Sequence, residues 1–381
     1  MTNESTALAV TERETVISTR RKFLLDAGAL GLGALGTAVA PAWAQTGGAP
    51  ALAKGSTLTV STWGGVTQDL IKNYAEKEFE KLTGAKLAYD IGGVGARYGK
   101  LLAQRNSPPA DVFISGDEQV IAGERAGLLQ PIDAKKIPGI GNIYDWALIR
   151  TGAREKSLMG VGFAVNAYVI GYHPELVKVA PTSWADLWRP EFQGKLALAA
   201  PGHSMMPMVM VIAAELAGGS ASNIDPGFRK MAELRPNKLT FFWTDWASMN
   251  KTGDVAIATE FDYYLQTMKT LKYPIEYIVP KEKGIGTPLT TSVVRGSKLK
   301  EPGEALISLL VSPGFQQAAA IHAYLGPTDR TVKLSAETAA RCACGATVDR
   351  LRFFDPVFVA DARPAWTERI NTEVIPQWRT R

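Results

Sequence analysis

The stretch "LALAAPGHSMMPMV", residues 196–209, decides how this chain folds. An apolar run of strand character breaks at Pro201-Gly202 and delivers His203-Ser204-Met205 into the start of a helical segment. The loop at its centre either carries a serine nucleophile or is one of several strand-end loops that touch a ligand. The flanking sequence separates the two readings.

Working outward, the same strand-loop-helix unit recurs. "STLTVSTWGG" reads as a strand ending in a glycine turn, and "TQDLIKNYAEKEFEKLTG" as a helix whose Ile71, Ala75, Phe79 and Leu82 share one face before Gly84 ends it. "AKLAYDIGG", "GARYGKLLAQR", "ADVFISG" and "DEQVIAGERAGL" repeat the alternation. Strands alternating with helices imply an open, mostly parallel sheet with ligand groups at the carboxyl ends of the strands. Trp63, Gly64, Gly65, Gly92, Gly93, Gly116, Asp117 and Glu118 therefore belong on one edge, although most glycines there only make turns. The long run "VGFAVNAYVIGYH" crosses into a second α/β unit that holds the quoted loop, a helix over about 204–217 and another over about 226–234. "GTPLTTSVVRG" returns to the first unit. A chain that leaves one sheet, builds a second and comes back makes two lobes joined by strands, which is a hinge.

For Ser204 to act as a nucleophile it needs a histidine base and an acidic orienter, in the order serine, acid, histidine. His322 is the one downstream histidine, with Asp225, Asp245, Asp254 and Asp262 as third members. The elbow of the α/β-hydrolases needs a small residue two places after the serine; Met206-Pro207 stand there, and two sheets replace the hydrolase's one. A secreted serine hydrolase is the competing class. The favoured reading places Gly202, His203 and Ser204 at a helix start whose free N–H groups face a ligand.

Several segments together, Trp63-Gly64-Gly65, "SPPADVFISGDEQ", "TSWADLWRPEFQGKLAL", "GDVAIATEFDYYL" and "YLGPTDRTVKLS", resemble the periplasmic solute-binding proteins of ABC importers, nearest the polyamine, ferric-ion and thiamine binders. The resemblance implies a two-lobed type II fold, each lobe a mostly parallel sheet flanked by helices, closing on a small solute and presenting it to an ABC permease at the inner membrane. It implies a protein that is not an enzyme, works as a monomer and needs no cofactor. The expected organisation is a signal peptide at 1–44, a leader at 45–55, lobe 1 at 56–163, lobe 2 at 164–287, a return to lobe 1 with packing helices at 288–340, and C-terminal helices at 341–381.

The solute chemistry is read from two segments of the second lobe. "TFFWTDWASM" supplies Phe241, Phe242, Trp243, Asp245 and Trp246, and "ATEFDYYLQ" supplies Glu260, Phe261, Asp262, Tyr263 and Tyr264. Aromatic faces attract organic cations and carboxylates pair with amines, so a cationic, polyamine-like solute fits. The expected ligand residues are Trp63, Gly64, Gly65, Asp117, Glu118, Gly202, His203, Ser204, Trp243, Glu260, Asp262 and Tyr263. In "FFW" alternate rings must point inward. Polyamine binders tend to carry acidic residues where this chain has Ala199-Ala200-Pro201-Gly202, a departure from the family pattern. Tyr263-Tyr264 stand where ferric binders use adjacent tyrosines, giving iron a secondary claim as ligand.

The N-terminus reads as export. Arg20-Arg21 precede an apolar, glycine- and alanine-rich run that closes on Ala42-Trp43-Ala44, an A-x-A cleavage site. It looks like a twin-arginine signal, and places the mature protein in the periplasm. Residues 1–44 carry four basic and four acidic side chains, so the formal charge of +5 is unchanged without them. That charge is dispersed, giving no footprint for nucleic acid. Cys342 and Cys344, in "RCACGA", would point to opposite faces of an extended segment and are read as structural. Residues 341–381 show tryptophans and prolines but no functional pattern.

Overall fold

The computed structural model describes residues 54–151 and 157–379. The export signal read at 1–44 and most of the leader lie outside the described residues.

Among the described residues twelve strands form one continuous sheet, where the sequence pattern predicts two, because β6 and β11 pair with each other and join the halves: β1 Thr57–Thr62, β2 Lys86–Ile91, β3 Val112–Ser115, β4 Leu129–Gln130, β5 Leu148–Thr151, β6 Ser157–Tyr172, β7 Leu196–Ala199, β8 Pro236–Thr240, β9 Ile257–Phe261, β10 Glu276–Ile278, β11 Gly284–Val294 and β12 Leu351–Arg352. Their main path runs β2-β1-β3-β11-β6-β9-β7-β8. The path is palindromic in kind. In each half, three parallel strands in the order second-first-third meet one antiparallel strand, β11 in the first half and β6 in the second.

β6 and β11 are the two longest strands, and they pair with each other between the halves, Tyr168 opposite Ile285 through Val161 opposite Thr291. The amino half of β6 and the carboxyl half of β11 belong to lobe 1; their other halves belong to lobe 2. Both are buried along nearly their whole length, as strands covered on both faces must be. Lobe 1 packs Leu58, Val60, Ile114, Val293 and Phe315 into one core, and lobe 2 packs Trp184, Leu198, Met206, Met210 and Phe228 into another.

Local chemistry explains the element ends. Helix α1, Val66–Tyr74, and helix α2, Glu76–Thr83, fill the crossover from β1 to β2; Gly84, at φ 72°, closes the second in the left-handed conformation that glycine tolerates. Helix α3, Val94–Ala103, follows β2, and helix α4, Asp117–Arg125, follows β3. In lobe 2, α5, Met206–Leu216, is buried on almost every side, matching its unbroken apolar run. Beyond β9 lies α6, Asp262–Thr270. Helix α7, Pro313–Ala323, starts from Ser312, whose Oγ accepts the Phe315 N–H with proline at the first turn.

The strand read through "FFW" stops at Thr240. Its Oγ1 accepts the Phe242 N–H at 3.0 Å and donates to Asp245 Oδ2 at 2.9 Å, so a local turn outcompetes the ladder. Phe241 and Phe242 consequently stand half exposed, at 52 and 49 %.

Candidate functional site at the lobe junction

The register fixes where the strand ends point. β3 ends with Ser115 opposite Thr290 of β11, and β9 ends with Phe261 opposite Tyr168 of β6, which pairs with Ile285 of β11. The carboxyl ends of the two third strands therefore face one another along β11. They lie five positions apart on β11, roughly 17 Å at the rise of a strand. The first helical residues beyond the two ends, Asp117 and Asp262, flank that gap.

On the lobe 1 side, Gly65 takes φ 68° at the start of α1, a value that excludes most side chains. Trp63 just before it stacks on the Arg97 guanidinium, 5.0 Å from the ring, and Phe113 covers that guanidinium at 5.1 Å. Arg97 is fully buried and donates to Gly92 O at 2.8 Å and Ile114 O at 3.0 Å. Burial pushes it down to about 10. Trp63 thus already holds a cation of its own protein on one face. No sequence signal singled out Arg97, because its partners come from three separate strands.

A Cβ on Gly116 would lie 2.6 Å from Glu118 Oε2, so glycine there lets the Glu118 carboxylate fold back over its own helix start. Glu118 Oε1 accepts Gln119 Nε2 at 2.5 Å and Arg363 Nη1 at 3.4 Å. Asp117 accepts the Glu118 N–H at 3.0 Å and shares a side-chain hydrogen bond with the Glu118 carboxyl. Burial, reinforced by the Glu118 charge, holds Asp117 well above the usual carboxylate range, and burial also raises Glu118.

On the lobe 2 side, His203 sits among Tyr168, Phe241 and Phe261, with ring centroids 6.0, 6.1 and 6.0 Å away. Its Nδ1 accepts the Met205 N–H at 3.1 Å, which leaves the proton on Nε2. Burial, with the Arg363 charge, lowers it to about 4, so it is a neutral donor at ordinary pH. Gly202 offers its carbonyl to Arg363 Nη2 at 2.8 Å.

Glu260 accepts the Phe261 N–H at 2.8 Å and Trp246 Nε1 at 3.3 Å. Asp262 Oδ1 accepts the Ala167 N–H of β6 and the Tyr263 N–H, both at 2.9 Å. Both carboxyls are about 4 % exposed, and burial pushes each up to about 7. Asp262 also borders a cavity of ≈ 290 Å³ lined with Tyr277, Cys342, Thr347 and Arg350. Tyr263 and Tyr264 lie 4.0 Å apart, and the Tyr263 ring reaches over to pack against the lobe 1 core.

Two residues named from sequence lie apart from the gap or from their expected partners. Trp243 is 6 % exposed and packs inward against Tyr264 and Tyr273, so its ring is part of the lobe 2 core. The base proposed for Ser204 is engaged elsewhere: His322 stacks on Tyr74 of lobe 1 at 4.9 Å. The proposed acids are engaged elsewhere. Asp225 pairs with Arg369, Asp245 with Thr240, Asp254 with Thr252, and Asp262 with Ala167. Cys342 and Cys344 are not in an extended segment; both are buried, with thiols directed at Thr338 O and Ala339 O.

Two α/β lobes sharing two crossing strands, with polar and aromatic groups facing over the hinge, define a type II solute-binding protein that works with an ABC permease. The chain matches the family described as bacterial extracellular solute-binding protein over residues 107–342, and it belongs to that family. It is 25 % identical over 244 residues to the spermidine/putrescine-binding periplasmic protein of Escherichia coli, covering 62 % of this chain and 68 % of that one. It is 27 % identical over 256 residues to a putative 2-aminoethylphosphonate-binding periplasmic protein of Salmonella typhimurium, covering 62 and 68 %. The crystal structure of an ABC transporter protein from Clostridium perfringens is similar with TM-score 0.70 and 26 % identity over 83 % of this chain and 99 % of that one. A spermidine/putrescine substrate-binding protein of Streptococcus pneumoniae shares the fold, with TM-score 0.67 and 20 % identity over 85 % of this chain and all of that one. The family and these relatives are substrate-binding transport proteins, which gives the hydrolase reading no support and supports a periplasmic location. No helix among the described residues is long and apolar enough to cross a membrane.

Proposed function

We propose that the protein captures a small cationic, amine-bearing solute between Asp117 and Glu118 of lobe 1 and Glu260, Asp262 and Tyr263 of lobe 2, and delivers it to its permease. One observation carries this reading: Glu260 and Asp262 are buried carboxyls and Asp117 a partly buried one, each at the first turn or strand end by the lobe junction, and no basic side chain among the described residues pairs with them. Buried carboxyls without a cation hold protons tightly; an ammonium group supplies the missing charge. The names of both groups of relatives point to solutes that carry a primary amine, and the ammonium is what those solutes share.

Solute touching both lobes stabilises the closed form, shifting the population toward what the permease recognises. Residues 1–44 act as a twin-arginine export signal cut after Ala44, and the mature protein is a monomer. Thermal shift of the purified protein against putrescine, spermidine, 2-aminoethylphosphonate, thiamine and ferric citrate tests the reading. A native-state ligand raises the melting temperature by mass action. A rise with the amines supports it. A rise with ferric citrate alone moves the site to Tyr263 and Tyr264 and overturns it.

A further inference from the structure

The C-terminal helix, Pro356–Arg369, lies beyond the residues that match the family, and it spans the two lobes. Its apolar side is anchored in lobe 2, where Val359 and the following Ile370 and Val374 are buried and Phe358 and Trp366 pack at the edge. Ion pairs on that side reinforce the anchor: Arg369 with Asp225 at 3.0 Å and, just before the helix, Arg352 with Glu215 at 2.8 Å. Toward lobe 1 it presents a polar face, apart from Ala360 against the α4 region. There Asp361 pairs with Arg125, and Arg363 pairs with Glu118.

Arg363 stands at the junction itself. One arm of its guanidinium donates to the Gly202 carbonyl of lobe 2 at 2.8 Å, the other to Glu118 Oε1 of lobe 1 at 3.4 Å. A positive group bridging a carboxylate of one lobe and a carbonyl of the other makes the same contacts that an ammonium bound in the gap would make. The bond to Glu118 is long beside the 2.7–2.9 Å of a well-formed charge-assisted pair. Glu118 is buried, whereas the Arg363 side chain keeps 27 % exposure and a path out to solvent.

We propose that Arg363 is a built-in competitor for the solute: its guanidinium occupies Glu118 in the solute-free protein, and an incoming ammonium displaces it. The helix carries the competitor as a strap across the hinge, so its hold sets how strong a cation must be to enter. Selectivity follows. A solute with two or more amines engages Glu118 and the lobe 2 carboxyls together and wins the exchange, while a monoamine satisfies one lobe and leaves Arg363 in place. This rests on the amine-binding reading above.

Calorimetric titration with putrescine at pH 8 tests the proposal. Arg363→Gln removes the competing charge and is expected to bind putrescine about tenfold tighter than wild type and to accept a monoamine such as butylamine. Arg363→Lys keeps the charge and stays within about threefold of wild type. Asp361→Asn, at a side chain 59 % exposed, loosens the strap without touching Glu118 and tightens binding two- to threefold, an arm that holds even if Arg363→Gln folds poorly. If wild type binds putrescine and the Arg363→Gln or Asp361→Asn protein binds it equally or more weakly, the competitor is overturned while amine binding stands. Weaker binding by Arg363→Gln with retained binding of 2-aminoethylphosphonate by wild type would make the guanidinium a direct anion contact instead. If neither wild type nor Arg363→Gln binds any amine, both proposals fall together.

Discussion

Two helix starts occupy equivalent places in the two lobes: "SGDEQ" after β3 and "EFDYY" after β9. Each puts an aspartate at the first helical position after a strand that ends beside a crossing strand. Their surroundings differ. In lobe 1 the cation-attracting groups are already served from within the chain, Trp63 by Arg97 and Glu118 by Arg363. In lobe 2, Glu260 and Asp262 accept only backbone and indole N–H groups, and aromatic rings crowd around them. The same topology thus yields one lobe in which arginines already serve Trp63 and Glu118, leaving Asp117, and one whose two carboxyls meet no cation among the described residues. On the proposed reading, lobe 2 supplies most of the charge that an ammonium meets.

The largest effect that would sharpen this contrast is expected at Asp262. Asp262→Asn keeps the shape but removes a buried charge that the amine pairs with, and putrescine affinity should fall about 100-fold, or about 2.7 kcal/mol, by calorimetry. Asp117→Asn should cost less, about tenfold, because Glu118 remains beside it. Equal losses at the two positions would break the asymmetry.

Next comes pH. Glu260 and Asp262 are pushed by burial from the ordinary carboxyl range up to about 7. The native state therefore holds their protons more tightly than the unfolded chain, and solute-free stability falls as pH rises through about 7. Asp90 and Asp186, held below the ordinary carboxylate range by their partners, act oppositely but on the acid side of this window, and His203, lowered by burial to about 4, offsets part of the fall only up to the ordinary imidazole range. Scanning calorimetry should show the solute-free protein melting roughly 5 °C lower at pH 8 than at pH 5.5. Putrescine affinity should run the other way, rising about tenfold from pH 6 to pH 8.

Smaller effects are expected from the rings. Phe241→Ala removes a half-exposed face near His203 and should weaken amine binding about threefold, the size of an exposed cation–π contact. Trp243→Ala should instead lower the melting temperature, with a loss of about 3–5 kcal/mol of stability, because that ring fills the core. Ser204→Ala should change binding by less than about twofold, and the wild type should not react with a fluorophosphonate.

The parallel units were legible because their signals are local. The runs at "VGFAVNAYVIGYH" and "GTPLTTSVVRG" became β6 and β11, and the turn glycines fell at strand ends. Asp117 and Asp262 were legible as strand-end carboxylates for the same reason. Trp243 was not: whether a ring after a strand points in or out depends on where the strand stops, and Thr240 stops it through side-chain bonds that periodicity does not register. Arg363 left no trace either. Its partner Glu118 is 245 positions away, and only the path of the last helix across both lobes brings them together.

The most direct test of solute recognition by uncompensated carboxyls is proton linkage: calorimetric titration with putrescine at pH 7 in two buffers of different ionisation enthalpy. Carboxyls pushed up to about 7 shed protons when an ammonium pairs with them, so saturable binding with close to one proton released per putrescine bound is expected. Binding with no proton exchange would show that Glu260 and Asp262 do not meet the solute, and would contradict it.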